Sequence, residues 1–430
     1  MDLNVQQIEL EQLVPYARNA RTHSDSQVAQ IAGSIAEFGF VNPVLVGDDN
    51  VIIAGHGRVM AAKKLGLQTV PTIKLDHLTE NQRRALVIAD NKIAENAGWD
   101  EELLRLELQN LADEDFDLDL LGFDDVELDD LLTSLDDDEA AALDENIPEV
   151  QENPVSRTGD IWIMGEHRLL CGDSTSEADM KKLMGGELAD MVFTDPPYNV
   201  NYGDTAKDKL RSKGGAKAGR KIMNDNLGDD FEAFLTAACK NMLAHTKGAL
   251  YICMSSSELD TLQSAFRNAG GKWSTFIIWA KNTFTLGRSD YQRQYEPILY
   301  GWKDGNVRYW CGARDQGDVW FYNKPQKNDL HPTMKPVDLV VRGIKNSSKT
   351  LDIVLDPFGG SGSTLIAAEH TGRQARLIEL DPKYVDVIVR RWQEMTGLQA
   401  TLSGTDQDFK AVEKDRLESK AEASLPVEGE

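Results

Sequence analysis

Apolar and polar positions recur with strand and helix periods along the first part of the chain. Between residues 1 and 98, short apolar runs have the pattern of β-strands. The stretches between these runs have apolar residues at helical spacing, so these residues fall on one face of a helix. Thr79 precedes the last of these stretches and is a suitable N-cap. Residues 1–98 are therefore predicted to form a small α/β module. The predicted strands are 43–46 and 51–54, and the predicted helices are 27–38, 58–65 and 78–96.

Strand and helix patterns alternate through residues 155–400. This alternation is typical of a parallel sheet with helices on both faces, so we expect a second and larger α/β domain here. The predicted strands are 191–194, 249–254, 276–279, 353–355 and 376–380, and a helix is predicted at 365–371.

The net charge of −25 is concentrated in two segments. Residues 100–150 hold 21 acidic residues and one basic residue, and residues 406–430 hold eight acidic and four basic residues. We expect 99–154 to be an acidic connector with short helices and 401–430 to be a disordered charged tail. Because the remaining chain is close to neutral, its charge does not exclude a nucleic-acid partner.

The four cysteines are scattered, without the spacing of metal ligands or of a disulfide framework. We expect no metal. The N-terminus lacks a basic-then-apolar signal, and no apolar run reaches about 18 residues, the length that spans a membrane. These features predict a cytoplasmic protein with no membrane partner.

The first motif with chemical meaning is Asp195-Pro196-Pro197-Tyr198, directly after the apolar run 191–194. An exocyclic amino nitrogen of a base is a poor nucleophile, because its lone pair is delocalised into the ring. A carboxylate and a backbone carbonyl that accept its hydrogens favour the tetrahedral geometry of attack. The prolines stiffen the turn, and the tyrosine offers a face on which an extruded base can stack. Alone, the motif is equally typical of an ordinary turn.

A glycine-rich loop begins at Asp356, after the predicted strand 353–355, and leads into a helix. Gly360 and Gly362 allow a tight turn and a close approach of a ligand to the backbone. Glu379 follows the next strand, 17 residues beyond Gly362, where an acid can bind a ribose diol. The loop lacks the third glycine of a dinucleotide site and the Gly-Lys-Ser/Thr of a nucleoside triphosphatase.

Four motifs together resemble the amino-methyltransferases of DNA, over roughly residues 158–397. They are Asp-Pro-Pro-Tyr, the glycine loop, HPTMKP at 331–336 and CGDS at 171–174. The family's Trp-x-Lys and Glu-x-Ile-Leu-Tyr-Gly features also occur, at 279–281 and 296–301. The resemblance is to the class in which Asp-Pro-Pro-Tyr precedes the cofactor loop.

This resemblance implies a Rossmann-like domain that binds S-adenosyl-L-methionine at the strand ends. It implies that Phe358, Gly360 and Gly362 line the methionine part of the cofactor and that Glu379 holds the ribose. It places Asp173 near the adenine, and Thr333 and Lys335 close to the cofactor. The predicted cofactor-binding residues are Asp173, Thr333, Lys335, Asp356, Phe358, Gly360, Gly362 and Glu379, and the predicted catalytic residues are Asp195, Pro196, Pro197 and Tyr198.

The implied function is methylation of adenine N6 in DNA, without a covalent enzyme intermediate. Methylation of cytosine N4 uses the same geometry and is the alternative. Asp195 favours adenine, since the cytosine enzymes of the family more often carry Ser there. A homodimer and a cognate restriction enzyme are further candidate partners.

A basic segment follows the catalytic motif, with seven basic residues and one acidic residue between 207 and 221. Such a segment suits contacts with DNA phosphates, although a solvated lysine-rich loop has the same composition. The predicted DNA-binding residues are Lys207, Lys209, Arg211, Lys213, Lys217, Arg220 and Lys221.

The N-terminal module has its own resemblance, to the ParB-like and sulfiredoxin-like domain, through Gly55-His56-Gly57-Arg58 entering a helix. Glycine-rich backbone at a helix N-terminus beside an arginine suits a phosphate, so Gly55, Gly57 and Arg58 form a candidate phosphate site. The cysteine of sulfiredoxins is absent, and the partition proteins' Arg-Arg pair is Gly57-Arg58. A module that docks DNA or a partner without catalysis is the alternative. A ParB-like nuclease or partition adaptor, with the second domain as a scaffold, is a rival for the whole chain.

Overall fold

In the computed structural model, the chain forms two compact units, residues 1–134 and 135–430. The residues described below are 4–94, 99, 101–114, 116–133, 137–145, 147–200, 223–285, 290–312, 316–323, 334–405 and 407–423. No helix in these ranges is long and apolar enough to cross a bilayer.

The first unit contains a four-stranded sheet in the order β1-β4-β2-β3. Its strands are β1 (Val5–Glu9), β2 (Val44–Val46), β3 (Ile52–Ala54) and β4 (Thr69–Lys74), and its helices are α1 (Asp25–Phe38), α2 (His56–Lys64), α3 (Glu80–Ala94), α4 (Glu101–Asp113) and α5 (Asp125–Thr133), with 3-10 turns at Leu10–Gln12 and Leu118–Leu121. The strands and the first three helices predicted from the sequence are confirmed. Ser24 caps α1 by accepting from the Gln27 amide, and the Gln82 amide donates to Thr79 as expected.

The short helices expected in the acidic segment 99–154 are present, but α4 and the turn after it pack against other parts of the first unit. Leu108 on α4 is 1% exposed, and Phe116 stacks on Phe38 of α1, with ring centroids 6.1 Å apart. On α4 the Leu108 side chain is buried while that of Glu107 beside it is exposed, so apolar and acidic side chains lie on different faces. The charge count therefore described the surface of these helices, and the segment itself is folded.

The second unit is built on a ten-stranded sheet in the order β11-β9-β10-β8-β7-β12-β13-β6-β5-β14. The strands are β5 (Ile161–Met164), β6 (His167–Cys171), β7 (Met191–Thr194), β8 (Ala249–Cys253), β9 (Gly271–Thr285), β10 (Arg293–Lys303), β11 (Val319–Phe321), β12 (Ile353–Asp356), β13 (Gln374–Glu379) and β14 (Thr401–Leu402). The helices are α6 (Asp137–Glu145), α7 (Glu177–Met184), α8 (Phe231–Ala244), α9 (Leu259–Asn268), α10 (Val337–Ser347), α11 (Ser363–His370), α12 (Pro382–Thr396) and α13 (Phe409–Ala423), with a 3-10 turn at Gly228–Asp230.

The central strands β8, β7, β12, β13 and β6 are parallel, as predicted. The chain moves outward from β7 to β8 on one side and from β12 to β13 on the other, so the strand order reverses between β7 and β12. In open α/β sheets a crevice forms outside the carboxyl ends of the strands at such a point, and ligands bind there. The Asp-Pro-Pro-Tyr motif follows β7, and the glycine loop follows β12. The fold therefore brings the two strongest motifs to one crevice.

Apolar side chains cover both faces of this sheet. One cluster includes Leu250, Ile252 and Phe266, and another includes Trp279, Tyr251 and Phe193. Strands β7 and β8 contain only buried residues, and β12 is buried except for its half-buried first residue. Continuous burial explains why these strands read as unbroken apolar runs in the sequence.

The prediction of a disordered tail from residue 401 is wrong for the part that is described. Strand β14 pairs with β5, and α13 places Phe409 and Val412 in the core at 3% and 2% exposure. The Phe409 ring lies 5.0 Å from that of Trp162. Two apolar side chains at helical spacing are enough to dock this otherwise charged helix. Residues 424–430 lie outside the described residues.

Helix α6, from the acidic segment, belongs to the second unit. Asp144 accepts a hydrogen bond of 2.9 Å from the Val337 amide at the start of α10, and the Leu143 carbonyl accepts one of 2.7 Å from Arg391. Arg391 also donates to the Ser361 carbonyl in the glycine loop, at 2.9 Å. The boundary that we predicted at residue 154 would cut α6 away from these partners.

We predict that Asp144→Ala lowers the stability of this unit by about 1–2 kcal/mol, the usual effect of losing a helix N-cap. Asp144→Asn is the matched control, because its amide oxygen can still accept from the Val337 amide. Burial raises the pKa of Asp144 to about 6, so the loss of charge in the asparagine variant should cost little at pH 7. Urea denaturation followed by tryptophan fluorescence measures both. Equal stability of the two variants would show that the cap contributes nothing.

Candidate active site

Asp195 stands at the carboxyl end of β7, where the buried strand opens into the crevice. The Tyr198 hydroxyl donates to Asp195 Oδ1 at 2.7 Å, and the Lys335 ammonium donates to Asp195 Oδ2 at 2.6 Å. About a quarter of the Asp195 side chain remains exposed. Each carboxylate oxygen has two lone pairs, so Asp195 keeps acceptor capacity for a further donor from the crevice.

The loop after Asp195 is held by two polar side chains. Asp225 Oδ1 accepts from the amides of Tyr198 and Val200, both at 3.2 Å, and Asn199 Oδ1 accepts from the Leu227 amide at 2.9 Å. Asn199 has a φ of +56°, which places it in the left-handed region. The turn is thus fixed by more than its two prolines.

Tyr198 is more deeply buried than a stacking platform needs to be, at 8% exposure. Its ring lies in the apolar core, and the Lys335 ammonium is 5.2 Å from the ring centroid. Burial, together with Asp195 and Glu296, holds the pKa of the hydroxyl well above its usual value. The hydroxyl therefore stays protonated and donates to Asp195. Base stacking on this ring remains a prediction.

Lys335 joins the catalytic motif to the glycine loop. Its ammonium also donates to the Tyr198 oxygen at 2.8 Å, while its backbone carbonyl accepts from the Ser363 hydroxyl at 3.0 Å. The side chain is 5% exposed. We predicted Lys335 as a cofactor contact, but the structure directs its ammonium to Asp195. A direct contact with a cofactor remains a prediction.

Two further charged side chains complete this cluster, Glu296 on β10 and Lys281 on β9. Glu296 Oε2 lies 3.2 Å from the Lys335 ammonium, and Glu296 Oε1 accepts from Lys281. Neither residue is among those predicted above, although both lie in stretches typical of the family. A charged residue in an otherwise apolar strand, as in Glu296-Pro297-Ile298-Leu299, is the signal that could have identified them.

The charges in this cluster stabilise one another. Burial would raise the pKa of Glu296, but Lys335 and Lys281 lower it to about 2. Burial would lower the pKa of Lys335, but Asp195 and Glu296 raise it above its usual value. For Asp195, burial is the largest effect and raises the pKa, with Lys335 opposing it. Each lysine of the cluster therefore lies beside a carboxyl group that stabilises its charge.

The glycine loop is fixed to the catalytic motif by Asp356, at the end of β12. Asp356 Oδ1 accepts from the Thr194 hydroxyl at 2.6 Å and from the Phe358 amide at 3.0 Å. Asp356 is 3% exposed, and burial raises its pKa to about 6. It connects the two loops that we predicted to form the site. A contact between Asp356 and a cofactor remains a prediction.

Gly360 and Gly362 both have a left-handed backbone conformation that favours glycine, and at Gly362 a side chain would also crowd a neighbour. Gly360 and Gly362 have φ of +53° and +86°, and a Cβ on Gly362 would lie 3.3 Å from Ile388 Cγ1 and Cγ2. Phe358 packs beside the loop, with its ring 5.9 Å from that of Phe234. Gly362 begins α11, so backbone amides at this helix N-terminus face the crevice.

Glu379 and Asp173 lie at the carboxyl ends of the next two strands, β13 and β6. Glu379 accepts from the Gly360 amide at 2.8 Å and from the Asp381 amide at 2.9 Å, and its backbone carbonyl accepts from the Gly172 amide at 3.0 Å. Burial raises the pKa of Glu379 to about 7. Asp173 Oδ1 accepts from the amide and the hydroxyl of Thr175, both at 2.8 Å. The structure thus brings these two predicted residues beside the glycine loop.

Some predicted residues cannot be placed. Thr333 and the whole basic segment 207–221 lie outside the described residues. Among the residues that are described, there is no group of three or more His, Cys, Asp or Glu that could hold a metal ion.

The candidate phosphate site of the first unit differs from expectation. Gly55 has a φ of +102° and begins α2, as the motif requires. Arg58, however, donates to the carbonyls of Asn42 and Pro43 at 2.7 and 3.2 Å. Its guanidinium therefore braces the neighbouring loop. Next to it lies a cavity of about 260 Å³, whose polar lining residues include Arg21, His23, His56 and Lys63.

Comparison with known families finds three matches along the chain, one of which spans the boundary between the two units. Residues 189–390 match the family described as DNA methylase, residues 102–158 match the ParB-methyltransferase HTH domain, and residues 2–92 match the ParB N-terminal domain. Helices α4 to α6 fall almost wholly within the residues that match the HTH domain, a likeness that the sequence motifs did not indicate.

Three relatives from Escherichia coli (strain K12) show the same parts. The ParB-like nuclease domain-containing protein YnaK is 56% identical over 75 residues, 17% of this chain and 86% of YnaK. The predicted methylase YubD is 32% identical over 204 residues, 46% of this chain and 79% of YubD. The DNA adenine methyltransferase YhdJ is 27% identical over 256 residues, 52% of this chain and 81% of YhdJ. The chain belongs to the DNA methylase family, and a ParB-like domain precedes its methylase domain.

Proposed function

We propose that this DNA methyltransferase transfers the methyl group of S-adenosyl-L-methionine to the N6 amino group of adenine. The observation that carries the proposal is the position of Asp195. Its carboxylate opens into the crevice between β7 and β12, and the 2.6 Å bond from Thr194 to Asp356 ties the end of β7 to the end of β12. An acceptor for an amino group and a candidate cofactor loop thus share one crevice.

The residues present fit this cofactor. Gly360 and Gly362 leave room for a ligand against the backbone, since their positive φ angles exclude most side chains. Glu379 uses one lone pair of each oxygen for backbone amides, so it can also accept from two ribose hydroxyls. Asp173 follows β6, the strand beside β13, and would hold the adenine part of the cofactor. The cofactor supplies a methyl group on a positively charged sulfur.

Asp195 prepares the target nitrogen. The carboxylate and the Pro196 carbonyl would accept hydrogen bonds from the amino group and so raise the electron density on its nitrogen. The N–C bond would form as the methyl–sulfur bond breaks and neutral S-adenosylhomocysteine leaves. The nitrogen then carries one proton too many, and Asp195 is placed to take it as the N–H bond breaks and an O–H bond forms. Because Asp195 is partly exposed, the proton can leave to solvent.

Adenine is favoured over cytosine by Asp195 itself, because the cytosine N4 enzymes of the family more often have Ser at this position. The relative YhdJ is described as a DNA adenine methyltransferase, which agrees. The test uses two DNA substrates of one sequence, one fully methylated beforehand at adenine N6 and the other at cytosine N4. We expect labelled methyl groups to enter only the second. Label entering only the first would make the protein a cytosine N4 enzyme.

We further propose that the segment 207–221 contacts DNA phosphates, on the basis of its seven basic residues. Each phosphate contact contributes about −0.9 to the slope of log affinity against log salt. Replacing Lys213, Lys217 and Arg220 together by glutamine should therefore flatten that slope by about 2–3 and weaken binding equally on all DNA sequences. Fluorescence anisotropy at several salt concentrations measures this. An unchanged slope with an altered methylation site would instead make the segment a reader of bases.

The ParB-like unit is proposed to hold or position DNA for the methylase unit. Because Arg58 binds backbone carbonyls, the candidate phosphate site is not free in the form we expected. A homodimer and a cognate restriction enzyme remain proposals from the resemblance alone.

A further inference from the structure

Four charged side chains of alternating sign form a row that ends at the catalytic carboxylate. Asp195 contacts Lys335 at 2.6 Å, Lys335 contacts Glu296 at 3.2 Å, and Glu296 contacts Lys281. The side chains of the two lysines are only 5% and 9% exposed. Burying charges is costly, so a row of four invites a role beyond stability.

We propose that Lys335 is a positioning residue that keeps Asp195 ionised in the crevice, and that Glu296 and Lys281 hold Lys335 in place for this purpose. The inference rests on the proposed function. In that function an ionised Asp195 accepts a hydrogen bond from the amino group of the base and then takes up the proton that the amino group releases. Lys335 acts through Asp195, and the proposal needs no contact between Lys335 and the base.

The surroundings of Asp195 explain why it needs this support. Glu296 and Asp356 are like charges, and Cys253 on β8 lies near enough to interact with it. Burial keeps the pKa of Cys253 well above its usual value, so this thiol is neutral. Burial and the two acids all favour a protonated Asp195. The Lys335 cation opposes these effects, because it lowers the pKa of Asp195 and so favours the ionised carboxylate.

Glu296 and Lys281 fix the position of the ammonium. The register of β9 and β10 places Glu296 opposite Trp279, and the Lys281 ammonium lies 4.4 Å from the centroid of the Trp279 ring. Glu296 is thus held on a strand of the sheet. The Lys335 ammonium lies between the carboxyl groups of Glu296 and Asp195. With one carboxylate for each lysine, the row has no net charge.

This charge balance predicts an effect on ligands of different charge. S-adenosylmethionine carries a positive sulfur that S-adenosylhomocysteine lacks. Removing a negative charge from the row should weaken binding of the first ligand relative to the second, and removing a positive charge should strengthen it. A purely structural defect would weaken both ligands together.

The first test is the pH dependence of methyl transfer by the full-length protein. Asp195 must be ionised, so activity is lost as pH falls through its pKa. In Lys335→Met that pKa rises further, and the acidic limb of the kcat profile should move up by about one pH unit or more. Lys335→Arg restores the cation and should return the limb toward its original position. Lys247→Met, which removes an exposed partner of Asp190, is the control and should leave it unchanged.

The second test is calorimetric binding of the two ligands to the same variants and to Glu296→Gln. We expect the ratio of the two dissociation constants to change by about threefold or more, in opposite directions for Glu296→Gln and Lys335→Met. If Lys335→Met fails to fold, Lys281→Met replaces it and should move the ratio in the same direction.

In the first test, an acidic limb of the kcat profile that stays in place in Lys335→Met would overturn the proposal. The limb would then report Asp356, whose pKa burial raises to about 6.

The two proposals fail separately. A wild-type protein that binds both ligands but transfers no methyl group to DNA would refute the proposed function, and the ligand ratio would still test the row. Methyl transfer by the wild type, with an unmoved acidic limb and equal ligand ratios in all variants, would refute only the role of Lys335.

Discussion

Asp195→Ala should reduce the rate of methyl transfer by about 10³-fold or more while binding of S-adenosylhomocysteine stays within about threefold. The side chain is the acceptor that opens into the crevice, and its contacts are with Tyr198 and Lys335, away from the Gly360–Glu379 pair. Single-turnover transfer of a labelled methyl group and calorimetry with the neutral ligand measure the two effects. The neutral ligand is chosen because loss of a carboxylate also weakens binding of a cationic one.

Asp195→Asn is the matched control for this prediction. It keeps the size and one acceptor oxygen but cannot take a proton, so we expect it to be nearly as inactive as the alanine variant. Activity above a few per cent of wild type in the asparagine variant would show that the charge of Asp195 is dispensable. The mechanism above would then be wrong.

Gly362→Val should weaken cofactor binding by about tenfold or more. Its φ of +86° is strained for a branched side chain, and the new Cβ would lie 3.3 Å from Ile388, which is itself packed in the core. The loop must therefore shift, and the amides at the start of α11 shift with it. Calorimetry with S-adenosylhomocysteine measures the loss.

Gly404→Val is the control for Gly362→Val. It introduces the same backbone strain at a glycine outside the candidate cofactor loop. Gly404 has a φ of +78°, but a Cβ there would meet nothing within 4 Å. We expect this variant to lose some stability and keep its cofactor affinity. If both variants bind equally well, the glycine loop is not the cofactor site.

The parts of the fold that the sequence predicts well are those whose signal is local. Strand β7 is a run of four buried residues, and the prediction of 191–194 matches its bounds. For β12, the predicted strand 353–355 is one residue shorter than the observed Ile353–Asp356, and the glycine loop follows it as expected. These two local signals place Asp195 and the glycine loop at the ends of two strands. That the two strands are neighbours depends on the long-range pairing of Val354 with Met191, which the sequence did not predict.

The parts that the sequence does not predict depend on distant contacts. Glu296 joins the site because β10 pairs with both β9 and β8. The Lys335 ammonium lies between the carboxyl groups of Asp195 and Glu296, which come from distant parts of the chain. The high content of charged residues suggested a connector at 99–154 and a disordered tail from residue 401. A few apolar residues such as Leu108 and Phe409 nevertheless dock helices whose other faces are charged. Arg58 shows the same limit, since its carbonyl partners lie 15 and 16 residues away.

The central claim is that this crevice methylates an exocyclic amino group of DNA. The most direct measurement is mass spectrometry of nucleosides from DNA incubated with the full-length protein and S-adenosyl-L-methionine carrying a deuterated methyl group. We predict deuterated N6-methyldeoxyadenosine, and none of it with Asp195→Ala. Deuterium at cytosine C5, or no labelled nucleoside from a protein that binds the cofactor, would contradict the account.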